Sequence, residues 1–402
     1  MMKILLLCNK SPWPLHEGGP MAMHAIINGL LKAGHTIKVL AVNTNKYSVD
    51  PLSIPPAFAD ATKIEFAYID LAVKPLPALY NYLTGQSYHV TRFMNQDFKG
   101  KLERILSEES FDIIQVEMLY TSIYLETIRK YSKAPVVLRA HNIEHLIWQR
   151  IADNCRNPLK RHYLKHLYHT LREYELNIIN KVDGIVAITG IDALFFGRNA
   201  KNVPVLSIPF GIDPDSYPIN EDLTTEPDLF HIGSMNWFPN DEGIRWFLDQ
   251  VWPEVIKKEN PPRLCLAGRM MPAWLRGLKM RNVEVVGEVP NAWEFIQQHA
   301  VMIVPLLSGS GIRVKIVEAM MAGKAVISTR IGAEGIEYVD GTHLIIADTR
   351  DQFVTAIERV MNDAGLRKSL GENARSLMLS KHDNNKLIDN LSGFYQRLIQ
   401  RH

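Results

Sequence analysis

Short, uninterrupted apolar runs alternate along this chain with longer stretches whose apolar positions recur every three or four residues. Residues 3–8, Lys-Ile-Leu-Leu-Leu-Cys, read as a strand covered on both faces, because a half-exposed strand would alternate with polar residues. Residues 9–19 form a loop rich in proline and glycine. Residues 20–33 follow as a helix, with Ile26, Ile27, Leu30 and Leu31 on one side and Gly34 as its stop. A strand at 36–42 completes the pattern. One helical crossover between two buried strands dictates parallel pairing in a right-handed βαβ unit. The alternation continues with strands at 63–69, 112–116, 135–140, 183–188 and 203–208, and helices at 98–106, 120–131 and 158–180.

Residues 212–228 break this rhythm with polar residues and prolines and read as a linker. A second series follows, with strands at 229–232, 264–267, 283–286, 302–306, 325–329 and 344–346. Its helices fall at 242–256, 292–298, 313–321, 352–361 and 366–377, before a closing helix at 385–400. The expectation is an α/β chain of two doubly wound Rossmann-like domains, 1–210 and 211–384, with the terminal segment 385–402 packing back on the first. Ligands of open parallel sheets bind beyond the carboxyl ends of the strands, so two such crevices facing each other would make one cleft.

Composition narrows the classes. With 402 residues, 47% hydrophobic and 22% charged, the chain is too apolar for disorder and too varied for a coiled coil. Lys and Arg total 45 against 43 Asp and Glu, so net charge does not call for nucleic acid. Cys8, Cys155 and Cys265 are odd in number and far apart, and Cys8 and Cys265 sit in apolar runs, as expected of small buried thiols in a reducing compartment. No Cys-x-x-Cys or Cys/His cluster is present, and no metal or other cofactor is expected. No apolar run reaches the ~18 residues of a membrane span, and the first run is too short for a secretory signal, so a cytoplasmic location is expected.

The chemistry concentrates after the strand at 302–306. Ser308-Gly309-Ser310-Gly311 lets a ligand approach the backbone where a helix begins, and helix N-termini attract anions. Arg313 and Lys315 place two cations in that first turn, where the dipole disfavours them unless an anion such as a diphosphate is bound. The string from Gly309 through Arg313, Lys315 and Glu318-Ala319-Met320 resembles the signature of glycosyltransferase family 4, the retaining transferases of B-type two-Rossmann fold. The resemblance implies that Glu318 contacts the ribose of a nucleotide-sugar donor. It also implies that Ser310 stands where the family carries a first acid facing the sugar.

By the same resemblance, Gly18 and Gly19 approach the donor phosphate, and His141 hydrogen-bonds the donor sugar or leaving group. Ser234 and Asn236 occupy a turn where the family often has cations, so Arg313 and Lys315 are left to carry the diphosphate charge. Glu288 marks the turn beside the nucleobase. Arg269 is a phosphate partner or a surface residue, and Glu117, after the strand at 112–116, is expected to point toward the same rim as His141, a position from which it could orient an acceptor hydroxyl. The implied activity is transfer of a sugar, with retention, to a saccharide or lipid-linked acceptor in cell-surface polysaccharide or glycolipid synthesis. A nucleotide-sugar epimerase and a non-catalytic nucleotide-sugar binder are the alternatives. His162, His166 and His169 share one helical face that reads as solvated. The surrounding basic, amphipathic segment 160–175 suggests peripheral contact with the inner face of a membrane.

Overall fold

The computed structural model describes residues 1–15, 18–45, 48–213, 218, 227–309 and 311–402. The chain divides into two units, one of Met1–Gly211 with Asn384–His402, the other of Ile212–Asp383. Most of the segment read as a linker, residues 214–217 and 219–226, lies outside the described residues.

The first unit carries β1 (Lys3–Cys8), β2 (Thr36–Thr44), β3 (Glu65–Ile69), β4 (Ile113–Glu117), β5 (Val136–Ala140), β6 (Gly184–Ala187) and β7 (Val205–Ser207). They form one parallel sheet in the order β3-β2-β1-β4-β5-β6-β7. The apolar run of β1 serves two cores at once. Leu5 and Leu7 join Phe98, Leu102 and Ile105 on one face, while Ile4, Leu6 and Cys8 join Met23, Ile26 and Leu30 on the other. That second layer also holds Leu387, Ile388, Leu391 and Tyr395 of the closing helix Asn384–Arg401.

The second unit carries β8 (Leu229–Ile232), β9 (Leu264–Ala267), β10 (Val283–Gly287), β11 (Val301–Val304), β12 (Ala325–Ser328) and β13 (Ile345–Ile346). Its parallel sheet has the order β10-β9-β8-β11-β12-β13. Both sheets therefore reverse direction of winding next to their first strand, and that switch point is where ligands bind in such folds.

Local details depart from the sequence pattern for physical reasons. The helix expected at 242–256 starts earlier, as Phe238–Trp246, and passes through a π-helical stretch, Phe247–Val251, before Trp252–Val255. Pro253 lacks the N–H that would continue the α-helical ladder, and the wider π turn precedes it. The helix expected at 120–131 opens as a tight 3-10 stretch, Leu119–Tyr124, before Leu125–Tyr131. Helices at Pro56–Thr62, Pro75–Thr84, Glu144–Asn154 and Gly190–Asn199 had no counterpart in the pattern. Asp228, ahead of β8, accepts from His299 Nδ1 at 2.6 Å and from the Ala300 N–H at 2.9 Å, tying the start of β8 to the start of β11. Cys265 completes a buried Asp-Cys-His trio, contributed by separate strand starts and so invisible as a sequence motif. Burial pushes its thiol up to about 12.

Candidate functional site

In the second unit, β8 and β11 pair over only Leu229↔Val301 and Phe230↔Met302 before they part. His231 fills the opening. Its Nδ1 lies 2.9 Å from the Ile303 carbonyl, which can only accept, so Nδ1 carries the proton and Nε2 presents a lone pair. Lys315 Nζ lies 3.2 Å from that lone pair and donates to Asn240 Oδ1 at 2.8 Å. Asn240 in turn donates to the Ser234 carbonyl at 2.8 Å. Burial, and then the ammonium of Lys315, pull His231 well below its ordinary value, which keeps it neutral. Burial, and then the charge of Arg313, pull Lys315 well below the lysine range. The Gly233 position is left empty of side chain by this arrangement: a Cβ there would stand 2.8 Å from Asn240 Nδ2 and 3.1 Å from Lys315 Nζ.

Lys315 is in the first turn of the helix Val314–Met321, and that turn contains no acidic residue. Arg313, expected as the first helical residue, is the N-cap instead, with extended dihedrals of φ −94° and ψ 93°. Its side chain bends back so that Nη1 donates to the Gly311 carbonyl at 2.6 Å, and its guanidinium centre lies 5.1 Å from the Trp237 ring centroid. Gly309, at φ +115°, is where only glycine fits: a Cβ would meet Arg313 Nη2 at 2.7 Å and the indole at 3.2 Å. Ser308 Oγ donates to Glu242 at 2.7 Å, closing the loop onto the helix Phe238–Trp246. Gly311 lies in the same loop at φ +79°. Glu318 follows on the helix, partly exposed. Ser310 lies outside the described residues.

Other expected donor-side residues lie further out. Ser234 donates to Asn236 at 2.7 Å within the turn after β8. Arg269 and Glu288 pair with each other at 3.0 Å, both exposed, at the ends of β9 and β10. Arg269 was expected as a phosphate partner or a surface residue; in the structure its guanidinium is committed to a carboxylate.

In the first unit, Glu117 ends β4 and His141 follows β5. His141 Nε2 lies 2.7 Å from Glu117 Oε2 and donates to it, which leaves Nδ1 as the ring's acceptor. Arg139 Nη1 reaches the same carboxylate oxygen at 3.2 Å. Gln115 donates to the other oxygen at 2.6 Å, and Tyr395 of the closing helix donates to Gln115. Burial alone would raise the Glu117 carboxyl, but Arg139 and then His141 hold it below the usual carboxylate range. Burial pulls His141 down, against the hydrogen bond to Glu117. Met118 takes φ 65°, a strained value for a side-chain-bearing residue, yet its N–H still bonds the Arg139 carbonyl at 2.9 Å. Gly18 and Gly19, expected in the loop before the helix, are its first two residues in Gly18–Lys32, because Pro20 needs no N–H partner in a first turn. A Cβ on Gly19 would meet Lys10 Cε at 2.8 Å. His16 and Glu17, quoted beside this glycine pair, lie outside the described residues.

The functional reading of the sequence missed His231, Trp237, Arg139, Gln115 and Tyr395. Three of them left a signal: a polar residue inside an otherwise apolar strand, as in Leu-Phe-His-Ile, Ile-Ile-Gln-Val-Glu and Val-Val-Leu-Arg-Ala, needs a buried partner.

Residues 226–363 match the family model "Glycosyl transferases group 1". An uncharacterized 44.6 kDa protein in the cps region of Klebsiella pneumoniae is 22% identical over 404 residues, covering 97% of this chain and 99% of the relative. Sucrose-phosphate synthase of Thermosynechococcus elongatus superposes with a TM-score of 0.72 at 15% identity, covering 100% of both chains. HepE of Anabaena, solved in complex with UDP-glucose, gives 0.66 at 14% identity, covering 99% of this chain and 100% of its own. Parallel sheets of seven and six strands, each wound in Rossmann order, together with these neighbours, make the fold that of the B-type glycosyltransferases.

Proposed function

We propose that this chain is a family 4 glycosyltransferase that moves a sugar, with retention, from a nucleoside diphosphate sugar to an acceptor hydroxyl. The observation that carries the reading is Lys315, held at the switch point of the second sheet by two neutral acceptors, beside a helix N-terminus without an acid. A cation so placed lacks a counter-charge that a diphosphate supplies. In the reaction the bond from the anomeric carbon to the phosphate oxygen breaks, and the acceptor oxygen takes its place on carbon. The acceptor proton passes to the departing diphosphate. Lys315, Arg313 and the first helical N–H groups stabilise the charge that grows on that leaving group, with no metal required. Glu318 holds the ribose, and His141 offers Nδ1 to a sugar hydroxyl. The UDP-glucose bound by HepE supports a nucleotide-sugar donor, and the cps-region relative supports a cell-surface polysaccharide product.

A thermal-shift series with UDP, GDP and ADP tests the donor site, because a ligand that binds the folded state raises its melting temperature. One nucleoside diphosphate should stabilise the protein, and its sugar conjugate should be consumed only when glycan or lipid acceptors are added. Absence of any nucleotide shift refutes the reading. Conversion of the donor without acceptor replaces it with an epimerase.

A further inference from the structure

Leu76, Leu79, Tyr80 and Leu83 recur at i, i+3, i+4 and i+7 on the helix Pro75–Thr84, so they share one face. By spacing this is a core face, yet Leu76 is 80% exposed and Leu83 is 74% exposed, with Leu79 and Tyr80 also open to solvent. The buried residue is polar: Asn81 donates to the Pro77 carbonyl at 2.8 Å. The helix is nonetheless held in place. The Lys74 N–H donates to Tyr88 Oη at 2.9 Å. The Tyr82 ring packs 4.4 Å from that of His166 and 6.3 Å from that of Tyr163, on the helix Pro158–Ile178. His166 is thus partly covered by an aromatic ring, while His162 and His169 are exposed, as expected of a solvated face. Leu159, one turn before Tyr163, is 83% exposed and extends the apolar surface.

The apolar positions that made segment 160–175 look lipid-facing are spent elsewhere: Leu164, Leu167 and Leu171 are buried in the unit's interior. What that helix does present is charge. Residues 156–165 carry Arg156, Lys160, Arg161 and Lys165, residues 71–87 carry Lys74, and neither segment contains an acid. All five cations are exposed. Arg161 approaches Asp153 only to 3.9 Å and Lys74 pairs with Asp70 at 3.2 Å, while Arg156, Lys160 and Lys165 make no ion pair among the described residues.

We propose that the helix Pro75–Thr84 docks this unit on an anionic phospholipid bilayer. Leu76, Leu79, Tyr80 and Leu83 enter the acyl boundary, and Lys160, Arg161 and Lys165 meet headgroup phosphates. A second copy of the chain is the poorer occupant, because a two-fold contact would bring two sets of cations together. Among the described residues no helix is long and apolar enough to cross a membrane, so the contact is a surface one. The inference rests on this surface and not on the nucleotide site.

The full chain is sedimented with vesicles of phosphatidylcholine alone and of phosphatidylcholine with phosphatidylglycerol. It should partition onto the anionic vesicles only, and added salt should release it. Both L76S/L79S/L83S and K160E/R161E/K165E should weaken partition by at least about tenfold while keeping the parental circular dichroism and melting temperature, since every altered side chain is exposed. Partition of either variant equal to the parent's overturns the proposal, as does failure of the parent to bind anionic vesicles. A parental dimer that the serine variant disperses, with no vesicle binding, makes the face a self-interface instead. Nucleotide stabilisation that persists without vesicle binding would leave the donor site standing and remove only this proposal.

Discussion

Two sheets with the same winding treat buried charge in opposite ways at their carboxyl ends. In the first unit Glu117 lies against both Arg139 and His141, so the buried carboxylate has its counter-charge within the fold, although Arg139 Nε and Nη2 make no hydrogen bond among the described residues. In the second unit Lys315 is bonded to Asn240 and to a neutral His231, neither of which carries negative charge. A cluster whose charges are compensated internally orients its members and needs no counter-charge from a ligand. A cation among neutral acceptors is destabilised until an anion arrives, which is the physical basis of the donor site proposed at Lys315.

The contrast is sharpest if one charge is removed from each unit. Glu117→Gln leaves the Arg139 guanidinium buried without its counter-ion and should cost about 3 to 5 kcal/mol, read by denaturant unfolding. A loss below about 1 kcal/mol would mean that the first cluster is not held by charge. Lys315→Met should do the reverse to stability. The folded state depresses this amine, so the unfolded chain holds the extra proton, and stability from this group rises with pH toward the ordinary lysine value. Removing the amine should therefore raise the melting temperature of the ligand-free protein at neutral pH and flatten that slope. The same variant should lose nucleotide stabilisation and about 100- to 1000-fold in turnover. In the parent, nucleotide binding should take up protons and weaken as pH rises, which calorimetry in buffers of different ionisation enthalpy measures. Smallest of the three, Asn240→Ala removes one neutral partner of the ammonium and should weaken nucleotide binding about fivefold, ~1 kcal/mol, with little effect on fold.

Several parts of this molecule are legible in its sequence. The apolar runs at 3–8, 229–232 and 264–267 coincide with β1, β8 and β9, because a strand covered on both faces leaves no room for alternation. The Ser/Gly loop before Arg313 and Lys315 stood out because glycine freedom and first-turn cations are local features. The helix Pro75–Thr84 was not legible, since its leucines obey core spacing while facing solvent, and periodicity reports a face without saying what lies opposite. Nor could the pairing of Arg269 with Glu288 be read, because the two residues follow the ends of neighbouring strands 19 positions apart.

The order of apolar runs and crossovers thus determined, by itself, two parallel sheets and the Ser/Gly loop of the candidate site, since both follow from interactions a few residues long. Which side chains meet was decided by the tertiary structure alone. Tyr395 reaches Gln115 across 280 positions, and Lys315 reaches His231 across 84, and both depend on how the sheets and helices pack. Charge and hydrogen bonding act through space at a few ångströms, and the chain's order does not record those distances until it is folded.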